Sequence, residues 1–195
     1  KSRLEQLNQK PGTGQSSYSA KEFTTHLERI DKELVKFWEK EDKVASIRIA
    51  IQCTKLLNDV ATPLFYPQKF ILLTDILDTF GELVYQRMVK LTKEHSKGKI
   101  VITPENEDSI DYSQLPERVI ETCRNWLLKC VCIREVLPRI YLELALLKSI
   151  KFANMRVHQS DLLRMSKIVR GIAEPLCATY TCAYLARIGH EMVPK

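Results

Sequence analysis

The chain is poor in residues that interrupt regular backbone: of 195 residues, only 6 are glycine and 8 proline. That disfavours an all-β reading, which needs such residues at frequent tight turns. No apolar run approaches the roughly 18 residues that a membrane-spanning helix requires. No charged-then-apolar leader opens the chain, so a cytosolic protein is the expectation. Catalytic signatures are missing as well. There is no Gly-rich phosphate loop, no G-K-[ST] and no G-x-S-x-G. The four histidines, His26, His95, His158 and His190, are scattered, and none has another three or four residues on. No helical metal pair can form from them. The six cysteines, Cys53, Cys123, Cys130, Cys132, Cys177 and Cys182, contain no C-x-x-C spacing. They are expected to be free thiols buried as small apolar groups, in keeping with a reducing compartment. The connections between helices look short, apart from one acidic loop. Without convergent polar groups on loops, neither catalysis nor a cofactor is expected.

What is present is apolar content, at 45% of the chain, enough for a sizeable core. Residues 1–20 hold turn formers and few large apolar side chains, and read as a flexible linker. Helical periodicity then begins. Phe23, Leu27, Ile30, Leu34 and Phe37 form one stripe, with Ser19 as its cap. A second helix over 43–60 is apolar on two faces. ATPLFYP, 61–67, breaks it with two prolines. A third helix over 67–95 carries Phe70, Leu73, Leu77, Phe80, Val84, Met88 and Leu91. Gly81 inside it costs ~1 kcal/mol against alanine, so packing must hold it there.

Residues 96–113 lose the period: KIVIT is a candidate extended piece, and ENEDSID reads as an acidic surface loop. A fourth helix starts near Pro116, and a fifth contains LPRIYLELALL, 137–147. A sixth covers 159–171 with Ser160 as cap and Gly171 at its end. A seventh runs from Pro175 to about Met192 with Glu174 at its start. The chain therefore reads as all-α, about seven helices in antiparallel pairs, either a bundle or an α-solenoid.

The net charge of +6 is unevenly placed: residues 1–120 hold 18 basic and 18 acidic side chains, residues 121–195 hold 12 and 6. A basic third is either a solvated face or a surface for an acidic partner. Arg156, Arg164, Lys167 and Arg170 lie in it, and the last three step by three along one helix. Leu163, Met165, Ile168 and Val169 share that helix, and no aromatic platform accompanies it. A helical module whose basic face binds anionic membrane or nucleic acid directly is the alternative function.

The fifth helix is the unusual one. From 137 to 152 the polar positions are Arg139, Glu143, Lys148, Ser149 and Lys151. Arg139 and Glu143 are one turn apart and placed for a charge pair, although an acid-first order suits the helix dipole better. A helix apolar on nearly all sides sits inside a stack or meets a partner. Pro138 either opens it at the first turn or kinks it. Arg139 and its aromatic neighbour make a reasonable recognition edge. The simpler reading is internal packing, with Arg139 closing a local hydrogen bond.

PRIYLEL, 138–144, resembles the P-R-L-Y-L signature of the retromer large-subunit-like (vacuolar protein sorting 35-like) family. IQCTKLLND, ILDTFG, ETCRNW, KIVRGIAEPL and AYLARIGHEM extend the resemblance, which is closer to the retriever branch found in the Commander assembly. It implies a HEAT-like α-solenoid, with residues 21–195 as its N-terminal part. It implies that Pro138, Arg139, Ile140, Tyr141 and Leu142 dock an arrestin-like small subunit (vacuolar protein sorting 26-like), Ile140 standing where retromer has leucine. A metallophosphoesterase-like subunit is expected to bind other regions of the full-length chain. A sorting-nexin cargo adaptor and other Commander subunits are further expected partners. The implied role is a non-catalytic scaffold in endosomal cargo recycling, cytoplasmic and peripheral on endosomes, with indirect membrane association and no nucleic acid.

Overall fold

The computed structural model describes residues 20–103, 105–106, 110–153 and 159–192. The expected linker (Ala20 aside), the Ser19 cap, Arg156 and His158 lie outside them. Among the described residues there are seven α-helices and no strand: α1 Ala20–Glu39, α2 Lys43–Leu56, α3 Tyr66–His95, α4 Glu117–Val131, α5 Val136–Ala145, α6 Gln159–Val169 and α7 Pro175–Glu191. The all-helical solenoid class is therefore as expected. KIVIT is not: residues 99–103 are neither strand nor helix. Ile102 is buried, and Asn106 serves the backbone in place of a ladder, accepting from the Thr103 N–H at 2.8 Å and donating to the Val101 carbonyl at 2.9 Å.

Several boundaries moved for visible reasons. α2 stops at Leu56, before Val60, because the chain must turn into the Pro63–Phe65 3-10 turn. Its start is capped by Asp42, which accepts from Ala45 N–H at 2.9 Å. The fifth helix is α-helical only to Ala145 and continues as a 3-10 segment, Leu147–Ala153. α6 begins at Gln159, so Ser160 lies within it rather than before it. Pro138 falls in the first turn of α5, where its missing N–H has no intrahelical partner to lose. It opens the helix and does not kink it.

The core is built from the stripes read along the chain. Phe23, Leu27 and Leu34 of α1 are buried, as are Leu73, Leu77, Phe80, Val84, Met88 and Leu91 of α3. Trp38 of α1 stacks on Trp126 of α4 at 5.8 Å, with Phe80 edge-on to both. Tyr66, read only as part of a break, is fully buried and donates to the Leu57 carbonyl at 2.9 Å. Asp78 of α3 receives the Tyr184 hydroxyl at 2.9 Å and the Arg187 guanidinium at 2.7 Å, tying α3 to α7.

Cys53, Cys123, Cys130 and Cys177 are buried; Cys132 and Cys182 are exposed. Burial pushes the thiols of Cys53, Cys123 and Cys130 up to about 12, with Asp31 adding to the shift at Cys53 and Glu143 at Cys130. Their thiolate fraction near neutral pH is negligible, so they are unreactive. A disulfide-exchange reagent at pH 8 is expected to label Cys132 and Cys182 rapidly and the four buried thiols only on unfolding. Fast native labelling of Cys130 would contradict this packing.

Candidate functional site

The sequence singled out α5, and the fold explains its composition. α5 packs against α2, α3, α4, α6 and α7. A helix with that many neighbours has almost no solvent face, hence Ile, Tyr, Leu and Ala at nearly every position. Gly81 of α3 makes part of this possible. A Cβ at Gly81 would run into the carbonyl oxygen of Ala145 at the end of α5, so only glycine allows the two backbones to meet.

The five residues of the PRIYL segment fall into two groups. Pro138, Ile140, Tyr141 and Leu142 are buried. Arg139 is the member that reaches the surface, its side chain 34% exposed. Tyr141 packs on Tyr184 at 5.2 Å between ring centroids, and its hydroxyl lies 3.4 Å from Thr181 Oγ1, whose own proton goes to the Cys177 carbonyl at 2.7 Å. Burial pushes the Tyr141 phenol well above its ordinary value.

Arg139 does close a local hydrogen bond. Its Nε donates to Oε1 of Glu143 at 2.6 Å. The dipole-disfavoured order forms because the Glu143 side chain is only 9% exposed, and a carboxylate so placed requires a partner. The second partner was not foreseen. Arg164 of α6 donates from Nη2 to Oε2 of Glu143 at 2.8 Å. Both oxygens of one carboxylate are thus held by arginines from two helices. The signal was present in the basic stripe, but spacing along α6 says nothing about which stripe member meets α5.

The rest of that stripe, Lys167 and Arg170, is exposed. Exposed apolar side chains occur on the two helices that carry the arginine pair and on α4. Val136 is one turn before Arg139, Leu163 precedes Arg164, and Leu128 and Val131 lie at the end of α4. A cleft where α3, the end of α5 and α7 meet has Asp78, Glu82, Lys148 and Arg187 among its lining residues, beside apolar Leu144, Ile188 and Met192. Its charges pair across it, Arg187 with Asp78 at 2.7 Å and Lys148 with Glu82 at 4.0 Å. Among the described residues no helix is long and apolar enough to cross a membrane. No group of three or more His, Cys, Asp or Glu side chains among them could hold a metal ion.

Comparison with known proteins places these features in a lineage. The family model described as VPS35L matches residues 1–195. The chain is 38% identical to "VPS35 endosomal protein-sorting factor-like" of Danio rerio, over 100% of its own length and 20% of that protein's. It is 39% identical to "VPS35 endosomal protein sorting factor-like" of Dictyostelium discoideum over 98% of the chain and 19% of the relative, and 36% identical to the Homo sapiens protein over 100% and 20%. The chain therefore spans about a fifth of the length of these curated relatives.

Proposed function

The chain belongs to the VPS35L family, and on that premise we propose that it is the N-terminal helical part of a non-catalytic scaffold acting in endosomal protein sorting. Within that role, the PRIYL end of α5 docks the arrestin-like small subunit of a retriever-type complex. The full-length scaffold also carries a metallophosphoesterase-like subunit on other regions of its chain. A sorting-nexin adaptor and further Commander subunits bring cargo and membrane, so association with the endosome is indirect. The observation that carries the reading is the position of Arg139: the one member of its motif that reaches solvent, half-sunk at the head of the most enclosed helix. Partly desolvated arginines anchored in this way are the residues that dominate interface energetics. The other four motif residues serve the contact by holding α5 in register.

Calorimetric titration of the small subunit into the full-length protein tests this. Arg139→Ala is expected to weaken binding by about 2 kcal/mol, close to thirtyfold, with the circular dichroism spectrum unchanged. Equal affinities for wild type and a folded Arg139→Ala would place the docking surface on other helices. A folded wild type that does not bind would remove the assigned partner.

A further inference from the structure

Glu143 and Arg164 carry an inference that rests on the docking role of α5 and goes beyond it. The Glu143 carboxylate spends one oxygen on each of two guanidinium groups. A guanidinium has five N–H donors in a rigid planar arrangement. Arg139 reaches Glu143 through Nε and Arg164 through a single Nη, so donors on both remain unspent. The two side chains are about a third and nearly half exposed. The trio itself holds two guanidinium groups to one carboxylate. On α6, Asp161 lies one turn before Arg164, and Lys167, one turn after it, is exposed.

We propose that Glu143 clamps Arg139 of α5 and Arg164 of α6 into one outward-facing fork, and that this fork grips a protein edge presenting backbone carbonyls and a carboxylate. On the docking reading above, that edge belongs to the arrestin-like subunit. Arg164 is then a second contact residue, and Glu143 a positioning residue that touches no partner atom itself. The chemistry favours a protein edge over a phosphate surface. Pinned guanidinium groups have fixed directions, which suit a fixed array of acceptors; lipid phosphates are met as well by mobile lysines. Val136, one turn before Arg139 on α5, and Leu163, next to Arg164 in the sequence of α6, are both about half exposed and supply the apolar contact that a folded partner buries. Holding the two arginines before the partner arrives lowers the ordering cost of binding.

The test uses the full-length protein and the small subunit, with melting temperature recorded for every variant. Arg164→Ala and Glu143→Gln are each expected to weaken binding about tenfold, although Glu143→Gln leaves both arginines in place. Added to an Arg139→Ala/Arg164→Ala double variant, Glu143→Gln is expected to change affinity by less than about twofold, since nothing remains to be positioned. A purely structural glutamate would cost the same in both backgrounds, and that result would overturn the positioning role. Wild-type affinity for Arg164→Ala beside a weakened Arg139→Ala would overturn the fork and leave the docking reading standing. No binding by the folded wild type would overturn both. Loss of capture by phosphatidylserine vesicles in Arg164→Ala, with subunit affinity intact, would assign the arginine to membrane instead.

Discussion

Tyr141→Ala is expected to destabilise this chain by about 3–5 kcal/mol, the range for emptying a large aromatic site in a packed core. Tyr141 is fully buried on the helix that meets five others, with Tyr184 packed on its ring. Nothing nearby can collapse into the space without moving a helix, so relaxation recovers little. Against a typical total of about 5–15 kcal/mol, that leaves a marginal or unfolded chain. Tyr141→Phe keeps the ring and gives up only a hydroxyl with one long contact, 3.4 Å to Thr181 Oγ1. It should cost about 1 kcal/mol or less. Urea unfolding followed by circular dichroism separates the two, through the midpoint shift at constant slope. The result also decides what the tyrosine of the motif is for. A Tyr141→Ala chain that folds like wild type but fails to bind the small subunit would make Tyr141 a contact residue, against its burial.

Gly81→Ala is expected to cost about 3 kcal/mol, the upper part of the range for adding a methyl to a filled core. Helix propensity alone predicts the opposite sign, a gain of roughly 1 kcal/mol at an interior helical glycine. The difference lies in what the new methyl meets. It is not the end of a flexible side chain but the carbonyl oxygen of Ala145, at the point where α5 gives way to the 3-10 segment. Clearing it requires α3 and α5 to separate, which loosens Leu77, Phe80 and Leu144 together. Thermal unfolding of the variant would show a clear fall in midpoint. A rise would mean that the two helices do not cross as closely as this packing has them.

Both predictions turn on the difference between a motif and its placement. Arg139, Tyr141 and Leu142 are adjacent in sequence and share one resemblance, yet the fold sends Arg139 to the surface and the other two inward. Successive helical positions are about 100° apart, so a short run must face several ways at once. Periodicity showed that α5 is apolar almost all round, but not how many helices would surround it.

The single helix stripes were legible because each depends on local spacing: Phe23, Leu27 and Leu34 in α1, and Leu73 through Leu91 in α3, are buried as their period requires. Gly81 was legible as an anomaly that needed a packing reason. Its partner was not, since Ala145 lies on another helix far along the chain. KIVIT failed because a β-branched run has no strand to pair with among the described residues, and a side-chain amide completes its hydrogen bonding instead. The basic stripe of α6 was read as one feature. The fold ties Arg164 to Glu143, because a nearly enclosed carboxylate on a neighbouring helix holds a guanidinium more firmly than solvent does.

By itself, the amino-acid sequence determined the helical class and the approximate helices, which follow from patterns within a few turns of chain, while the family showed in the resemblance of motifs spread along it. Tertiary structure alone decided which arginines share Glu143, which member of the PRIYL segment meets solvent and which backbone Gly81 must admit. Those depend on the distance between residues remote in sequence, and the balance of burial against charge pairing settles them only once the helices are packed.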